Sequence, residues 1–354
     1  MKSKSKNKEE LVRHLIKENI TLREALASLN SLSGERMTLF VINSDNRLVG
    51  TLTDGDIRRG LLEGIGLDNK VGEVMNQDFI AAYGKNDLRE KISDAKKKKI
   101  ELLPLIEEGV IKDILDLTEI KSSLPIDAVL MAGGRGERLR PLTDDTPKPL
   151  LKVGGRAIID RNVEALEKYG IENIFVTVNY LADKIMDHFE QREGKAVVEC
   201  VKEPKRLGTM GSIALIEEFV NDTILLMNSD LLTDVNFESM YQRHIDKNAD
   251  FTIATVPYAV TVPFAILKTE GDEVREIEEK PTFNHMANAG VYILKRDLLV
   301  RIKKGEYLDT PDFIRSLLKE GGKVTFYPVD GTWIDIGSPE DYKYANEIMG
   351  KKEN

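Results

Sequence analysis

Cysteine is almost absent: Cys200 is the one thiol in 354 residues. That excludes an intramolecular disulfide and any multi-cysteine zinc site. It fits a reducing compartment, and a cytoplasmic protein is expected. No run of 18 apolar residues occurs, so no membrane-spanning helix is expected. Residues Met1–Glu10 are basic and lead into LVRHLIKENI, not into an apolar stretch, so no secretory signal is read there. Histidine is scarce as well. His14, His188, His244 and His285 share no metal-ligand spacing, and the first three read as helix surface. No Ser/His/Asp or Cys/His arrangement is found, which argues against covalent catalysis.

An excess of basic residues is also lacking. Residues 1–121 carry 21 basic and 21 acidic residues, so the net charge of −9 falls entirely on the remainder. An acidic body has no face for nucleic acid, whose binding needs clustered cations. A local basic pocket for a small phosphorylated ligand is still compatible with it. The runs Lys2–Lys8 and Lys96–Lys99 read as a solvated tail and an exposed helix face. The composition, 41% hydrophobic and 31% charged, is that of a globular protein, and the length suggests two domains.

A weak internal repeat is present in residues 1–121. Thr21-Leu-Arg-Glu-Ala-Leu26 echoes Asp87-Leu-Arg-Glu-Lys-Ile92. Thr21 and Asp87 are each placed to cap a helix, and two strand-like runs follow in each copy. Each copy is expected to be a helix-strand-strand-helix unit too small to bury its own face, so the two should pack as one domain. The first copy closes with Gly50-Thr-Leu-Thr-Asp-Gly-Asp-Ile57, which resembles the CBS motif at Gly50, Thr53, Asp56 and Ile57. The resemblance implies that Thr53 and Asp56 contact the phosphate or ribose of an adenine nucleotide. The bland alternative is that this pair only caps the next helix. In the second copy Asp116 and Glu119 replace the hydroxyl and the acid, and two carboxylates would repel a phosphate.

After the short linker Lys121–Pro125, strand-like and helical patterns alternate through residues 126–354, which predicts an α/β sandwich with a largely parallel sheet. The strongest signal lies there. An apolar strand ending in Met131 and Ala132 runs into Gly133, Gly134 and Gly136, followed by Arg138 and then by Pro147-Lys148-Pro149. Glycines let backbone N–H groups approach phosphate oxygens. No Gly-Lys-Ser/Thr follows, so this is no P-loop, and Leu139 stands where a dinucleotide fingerprint needs its third glycine. A glycine loop with two aimed cations suits a triphosphate attacked at its α-phosphorus.

The pattern G-G-x-G-x-R-L-x-P-x-T, then P-K-P, resembles the sugar-1-phosphate nucleotidyltransferases over residues 127–345. The resemblance implies a Rossmann-like nucleotide-diphospho-sugar transferase fold behind an N-terminal tandem CBS domain (1–121). It implies that Arg138 and Lys148 are catalytic. Met131, Ala132, Gly133, Gly134, Gly136, Glu203, Gly208 and Thr209 would meet the nucleotide. In Glu278-Glu-Lys-Pro281 and Asn288-Ala-Gly-Val-Tyr292 the residues Glu279, Lys280, Asn288 and Gly290 would meet the sugar phosphate, with His285 a weaker candidate for the same pocket. Asp230 and Asp335, each at the end of an apolar strand-like run, would hold Mg²⁺, which takes one or two carboxylates alongside substrate phosphates.

The implied reaction joins a nucleoside triphosphate to a sugar 1-phosphate and releases pyrophosphate. The segment Lys-Glu203-Pro-x-x-Leu-Gly-Thr-x-Gly resembles the guanylyltransferase branch, which makes GTP the expected donor. The sugar is one of mannose, heptose or glucosamine 1-phosphate; the CBS fusion itself resembles the glucosamine-1-phosphate guanylyltransferases of bacterial nonulosonic acid pathways. Alternatives are UTP, CTP or dTTP as donor, or a non-catalytic nucleotide sensor. The CBS pair is expected to make a homodimer or higher homo-oligomer and, through Pro125, to influence the strand that feeds the glycine loop.

Overall fold

The computed structural model describes residues 12–33, 36–192 and 194–352. The start of the chain and the basic run at 2–8 lie outside these described residues. Two compact units are present, residues 1–123 with Lys168–Gly170, and residues 124–167 with 171–354.

In the N-terminal unit the first repeat runs β1 (Leu15–Lys17), α1 (Leu22–Ser31), β2 (Thr38–Ile42), β3 (Leu48–Thr53) and α2 (Asp54–Leu62). The second runs α3 (Leu88–Lys97), β4 (Leu102–Glu107) and β5 (Val110–Asp116), then turns at 117–119. The closing helix expected for the second repeat is therefore absent. The repeat is nonetheless real in three dimensions. β1 pairs in parallel with β2, and Ala82 bridges in parallel to Leu105 of β4. Phe40 and Ile42 from one copy and Leu102 and Ile111 from the other form a shared buried cluster. Thr21 caps α1 through a reciprocal box with Glu24. Asp87 does not cap α3: its carboxylate accepts the Tyr83 N–H instead.

The C-terminal unit is built on β6 (Asp127–Ala132), α4 (Ile158–Glu167), β7 (Asn173–Val178), α5 (Ala182–Glu190), β8 (Val197–Lys202), the one-turn α6 (Gly208–Gly211) and β9 (Thr223–Asn228). β10 (Leu231–Thr233), α7 (Phe237–Asp246), β11 (Phe251–Thr261), β12 (Ile266–Glu270), β13 (Glu273–Glu278) and β14 (Thr282–Lys295) follow. The chain ends with α8 (Thr310–Lys319), β15 (Val324–Pro328), β16 (Trp333–Asp335) and α9 (Pro339–Lys352). The seven-stranded sheet has the order β8-β7-β6-β9-β14-β11-β15, with β14 antiparallel to both neighbours. β6 and β9 are apolar and almost wholly buried, as strands covered on both faces must be. Successive strands step outward from β6 through β7 to β8, and the chain then returns to β6's other side as β9. That reversal opens a crevice at the carboxyl ends of β6 and β9.

The sequence pattern over 209–219 reads as helical, but the structure there is α6 and a 3₁₀ turn, Ser212–Leu215. Its buried residues Met210, Ile213, Ile216 and Phe219 recur every three positions, which suits a 3₁₀ winding better than an α-helix. Past the sheet, β11 and β14 continue as a two-stranded arm, pairing Thr255 with Asn288 through to Thr261 with Thr282. The hairpin β12–β13 is joined to it.

The histidines depart from the surface reading. His14 is buried with its ring nitrogen 2.8 Å from the Thr38 carbonyl, and His244 is buried against the Thr252 hydroxyl. His188 pairs with Asp160 at 2.7 Å. His285 lies on the arm three residues from Asn288, hence on the opposite face of its strand.

Candidate active site

The carboxyl end of β6 delivers Met131 and Ala132, and the chain then leaves the sheet as the glycine loop. Gly133 passes close to the buried Glu203 side chain: a Cβ there would lie 2.5 Å from Glu203 Oε1. Gly136 has φ +62°, and a Cβ on it would meet Thr143 at 2.9 Å and Lys148 Cβ at 3.2 Å. Both positions thus require glycine, one for closeness and one for its left-handed turn. The turn leads into Glu137–Leu139, which buries Leu139 and leaves Arg138 exposed beside Gly337.

The end of β9 is fixed from two sides. Ser229 donates its hydroxyl to the Met131 carbonyl at 2.7 Å, and its own carbonyl accepts the Asn162 amide of α4 at 3.1 Å. The next residue is Asp230. The register of β10 with β16 puts Leu231 opposite Asp335, which draws the two acids together although 105 positions separate them in the chain. Lys148, from the Pro-Lys-Pro turn, is buried and forms an ion pair with Asp230 Oδ2. Its ammonium is also 3.8 Å from Asp335 Oδ1. Burial and the neighbouring Asp230 charge push the Asp335 carboxyl above its usual range, against the pull of Lys148 and Arg138. Asp230 Oδ1 is buried without a hydrogen-bond partner.

That orphaned oxygen is a test of the implied metal. A buried carboxylate oxygen left unpaired is costly, and a hard cation is a natural partner for it. Asp230 and Asp335 therefore fit Mg²⁺ bound by two carboxylates, the rest of its shell being water and phosphate. Among the described residues no group of three His, Cys, Asp or Glu side chains could hold a metal without such outside ligands.

A cleft of about 720 Å³ brings Gly133, Gly134, Gly136, Arg138, Lys148 and Asp230 together. A recess of about 180 Å³ shares Gly133, Gly134 and Asp230 with it and adds Met131, Glu203, Gly208 and Thr209. Glu203 is buried and accepts the Leu207 N–H at 2.9 Å; burial raises its carboxyl above the ordinary value despite that bond. Ala132 is buried beneath the loop.

Three cations that line the cleft escaped the sequence reading: Arg135, Lys205 and Arg206. They sit beside glycines and prolines in the same two motifs, and their charge was the available signal. Asp309 was also missed. Its carboxylate lines the recess, accepts the Thr209 N–H at 3.1 Å and takes the Tyr307 hydroxyl at 2.6 Å. Burial works against ionisation of Asp309, but these hydrogen bonds hold its carboxyl below the usual range.

The sugar-side residues are less gathered. Glu279 and Lys280 are exposed at the bend between β13 and β14 and line neither recess. Asn288 accepts the Gly290 N–H and donates to the buried Tyr292 hydroxyl at 2.8 Å. Gly290 abuts Asn228, a lining residue of the smaller recess; a Cβ at 290 would be 2.6 Å from the Asn228 amide. Trp333 donates its indole N–H to the Ala289 carbonyl at 2.9 Å, which ties β16 to this strand.

In the N-terminal unit, Thr53 and Asp56 form a reciprocal capping box at the start of α2. Asp56 Oδ2 accepts both the Thr53 N–H and its hydroxyl, and Oδ1 pairs with Arg59.

Comparison with known proteins agrees with this architecture. The CBS domain family matches residues 13–63, the first repeat. Mannose-1-phosphate guanylyltransferase catalytic subunit beta of Danio rerio is 32% identical over 227 residues, covering 61% of this chain and 62% of that protein. The bifunctional protein GlmU of Methanocaldococcus jannaschii is 28% identical over 236 residues, covering 65% of this chain and 55% of that protein. The chain thus spans about 62% of the length of the curated relatives it matches first. The crystal structure of HddC from Yersinia pseudotuberculosis superimposes with a TM-score of 0.51 at 27% identity, covering 63% of this chain and 99% of HddC. HddC has also been solved complexed with GMP-PN. The nucleotidyl transferase family matches residues 127–352, most of the chain, and this protein belongs to that family.

Proposed function

We propose that the protein is a sugar-1-phosphate guanylyltransferase, joining GTP and a sugar 1-phosphate into a GDP-sugar and pyrophosphate. The observation that carries this reading is the cleft in which the glycine loop, Arg138, Lys148 and Asp230 converge. An oxygen of the sugar phosphate attacks the α-phosphorus in line, and the bond to the β-phosphate oxygen breaks. The attacking oxygen is already ionised, so no general base is required. Catalysis is then positioning and charge neutralisation. Backbone N–H groups of Gly133, Gly134 and Gly136 cradle the phosphates, and Glu203, Gly208 and Thr209 border the base. Arg138 takes the charge that builds on pyrophosphate, Lys148 that on the α-phosphoryl group, and Lys280 holds the nucleophile. Asp230 and Asp335 would hold Mg²⁺, which supplies further charge neutralisation on the phosphate oxygens when bound.

Guanine as the base is supported by the names of the mannose-1-phosphate guanylyltransferase relatives and by the GMP-PN complex of HddC. The sugar is proposed as mannose 1-phosphate, with heptose and glucosamine 1-phosphates as the competing choices. The N-terminal unit, whose residues 1–121 are balanced in charge, is proposed to self-associate into a homodimer or higher homo-oligomer in the cytoplasm. Its first repeat is the one proposed to take an adenine nucleotide, at the expense of the Asp56–Arg59 pair.

The test is pyrophosphate release from ATP, GTP, CTP, UTP and dTTP against a panel of sugar 1-phosphates. GTP is expected to support the fastest release. Binding of a nucleotide without release from any of the five would overturn the enzyme reading in favour of a nucleotide sensor. Light scattering on the full chain tests the oligomer.

A further inference from the structure

Lys148 already serves both carboxylates, Asp230 and Asp335, that would hold a divalent cation. Its ammonium is paired with Asp230 Oδ2 and is 3.8 Å from Asp335 Oδ1. One monovalent cation thus serves both carboxylates that would have to turn their oxygens onto Mg²⁺ at about 2.0–2.1 Å. The lysine is not a loose surface chain, and without another anion nearby it stays on the carboxylates. Its side chain is 11% exposed, its backbone is stiffened by Pro147 and Pro149, and Gly136 closes over its Cβ. Asp230 Oδ1, buried and without a partner, gains nothing from the ammonium on its other oxygen.

Resting on the proposed function for its metal, we infer that Lys148 is a place-holder as well as a catalytic cation: it occupies the cation position between Asp230 and Asp335 and must leave before the metal can be held there. A buried ammonium that leaves two carboxylates needs another anion. The cleft offers one only when a nucleotide is present, because the phosphates then lie on the glycine loop that borders Lys148. Nucleotide binding would thereby transfer Lys148 from carboxylate to phosphate and free both acids for the metal. The two ligands are coupled through the lysine, and coupling of this kind is reciprocal. Metal alone binds weakly, metal with nucleotide binds well, and the aspartates are never left as two bare negative charges.

The full-length protein is titrated with Mn²⁺ alone, without nucleotide, as wild type, Lys148→Met and the double variant Lys148→Met/Asp230→Asn. Removing the competing ammonium is expected to tighten Mn²⁺ binding about tenfold or more, within the usual range of coupling between sites. The double variant is expected to lose that gain. Equal or weaker Mn²⁺ binding by Lys148→Met overturns the inference. Should that variant not fold, the wild type supplies the second measurement. The ¹⁵Nζ resonance of Lys148 is followed as GTP and then Mg²⁺ are added. A shift on leaving the carboxylates is expected, and an unchanged resonance overturns the inference. Neither measurement reads turnover. A chain that exchanges its cations yet releases no pyrophosphate refutes the proposed reaction alone, and one that turns over with equal Mn²⁺ affinities refutes the place-holder alone.

Discussion

Gly133 and Glu203 both line the smaller recess and lie so close that the smallest side chain at 133 would be 2.5 Å from the Glu203 carboxylate. The carboxylate cannot yield freely, because it accepts the Leu207 N–H just ahead of Gly208 and Thr209. Any side chain at 133 therefore displaces the glycine loop or the 203–209 segment. For Gly133→Ala we expect KM for the nucleotide to rise about tenfold or more, the scale of a misplacement near 1 Å, with little change in thermal stability. Steady-state kinetics beside a melting curve check it; unaltered KM would mean that the two segments do not jointly grip the nucleotide.

Arg138 faces the cleft from an exposed turn whose one buried member is Leu139. Its removal takes away a charge without opening the core. Arg138→Ala is expected to lower kcat about 100-fold or more, roughly 3 kcal/mol of transition-state stabilisation, while the melting temperature holds. Arg138→Lys should recover only part of the rate, since a planar fork can grip two phosphate oxygens and an ammonium cannot. A drop in melting temperature that parallels the drop in rate would show a structural role instead.

The sheet was legible because its strands are buried on both faces and read as unbroken apolar runs, as in Ala128–Ala132 and Thr223–Met227. The glycine loop was legible because its residues are consecutive. What escaped are contacts between distant parts of the chain. Asp309 reads locally as a helix N-cap, yet makes no cap bond to α8 and accepts from Thr209, 100 residues away. No local pattern encodes that pairing. The helix α9 differs in that its start is encoded locally. Ser338 caps it through a box with Asp341, and Pro339 opens it, so the start signal was in the sequence. Lys148, Asp230 and Asp335 were each named by the family resemblance, but the approach of the two acids follows from the register of β10 against β16, and the ion pair of Lys148 with Asp230 has no local signal.

The capping box in the first CBS repeat makes a separable prediction. Thr53 and Asp56 already satisfy the N-terminus of α2, so Thr53→Ala should cost about 1 kcal/mol of stability. Arg59 is mostly exposed and its pair with Asp56 is worth little, so Arg59→Ala should leave stability almost unchanged while freeing a carboxylate oxygen for a ribose hydroxyl. Calorimetric titration of the full chain with AMP is expected to give tighter binding for Arg59→Ala than for wild type, and none for Thr53→Ala. No heat from any of the three would leave the pair with its capping role alone.

His244 carries the clearest pH dependence. It is buried under the sheet with its ring nitrogen 2.8 Å from the Thr252 hydroxyl. Burial, reinforced by the Lys295 charge and only partly offset by Asp250, lowers its pKa from 6.5 to about 4. Between those values the unfolded chain binds a proton at this residue that the folded chain does not. Stability at His244 is therefore fully present above pH 6.5 and is lost as the pH falls toward about 4, by up to roughly 3 kcal/mol. Other groups also titrate as the pH falls, and burial raises the carboxyls of Glu203 and Asp335, so the informative quantity is a difference between variants. His244→Gln keeps a polar partner for Thr252 and cannot titrate. Denaturant midpoints measured from pH 7.5 to 4.5 should fall less steeply for His244→Gln than for wild type. The gap between the two curves should narrow as the pH drops. Parallel curves would show that the imidazole stays protonatable within the fold.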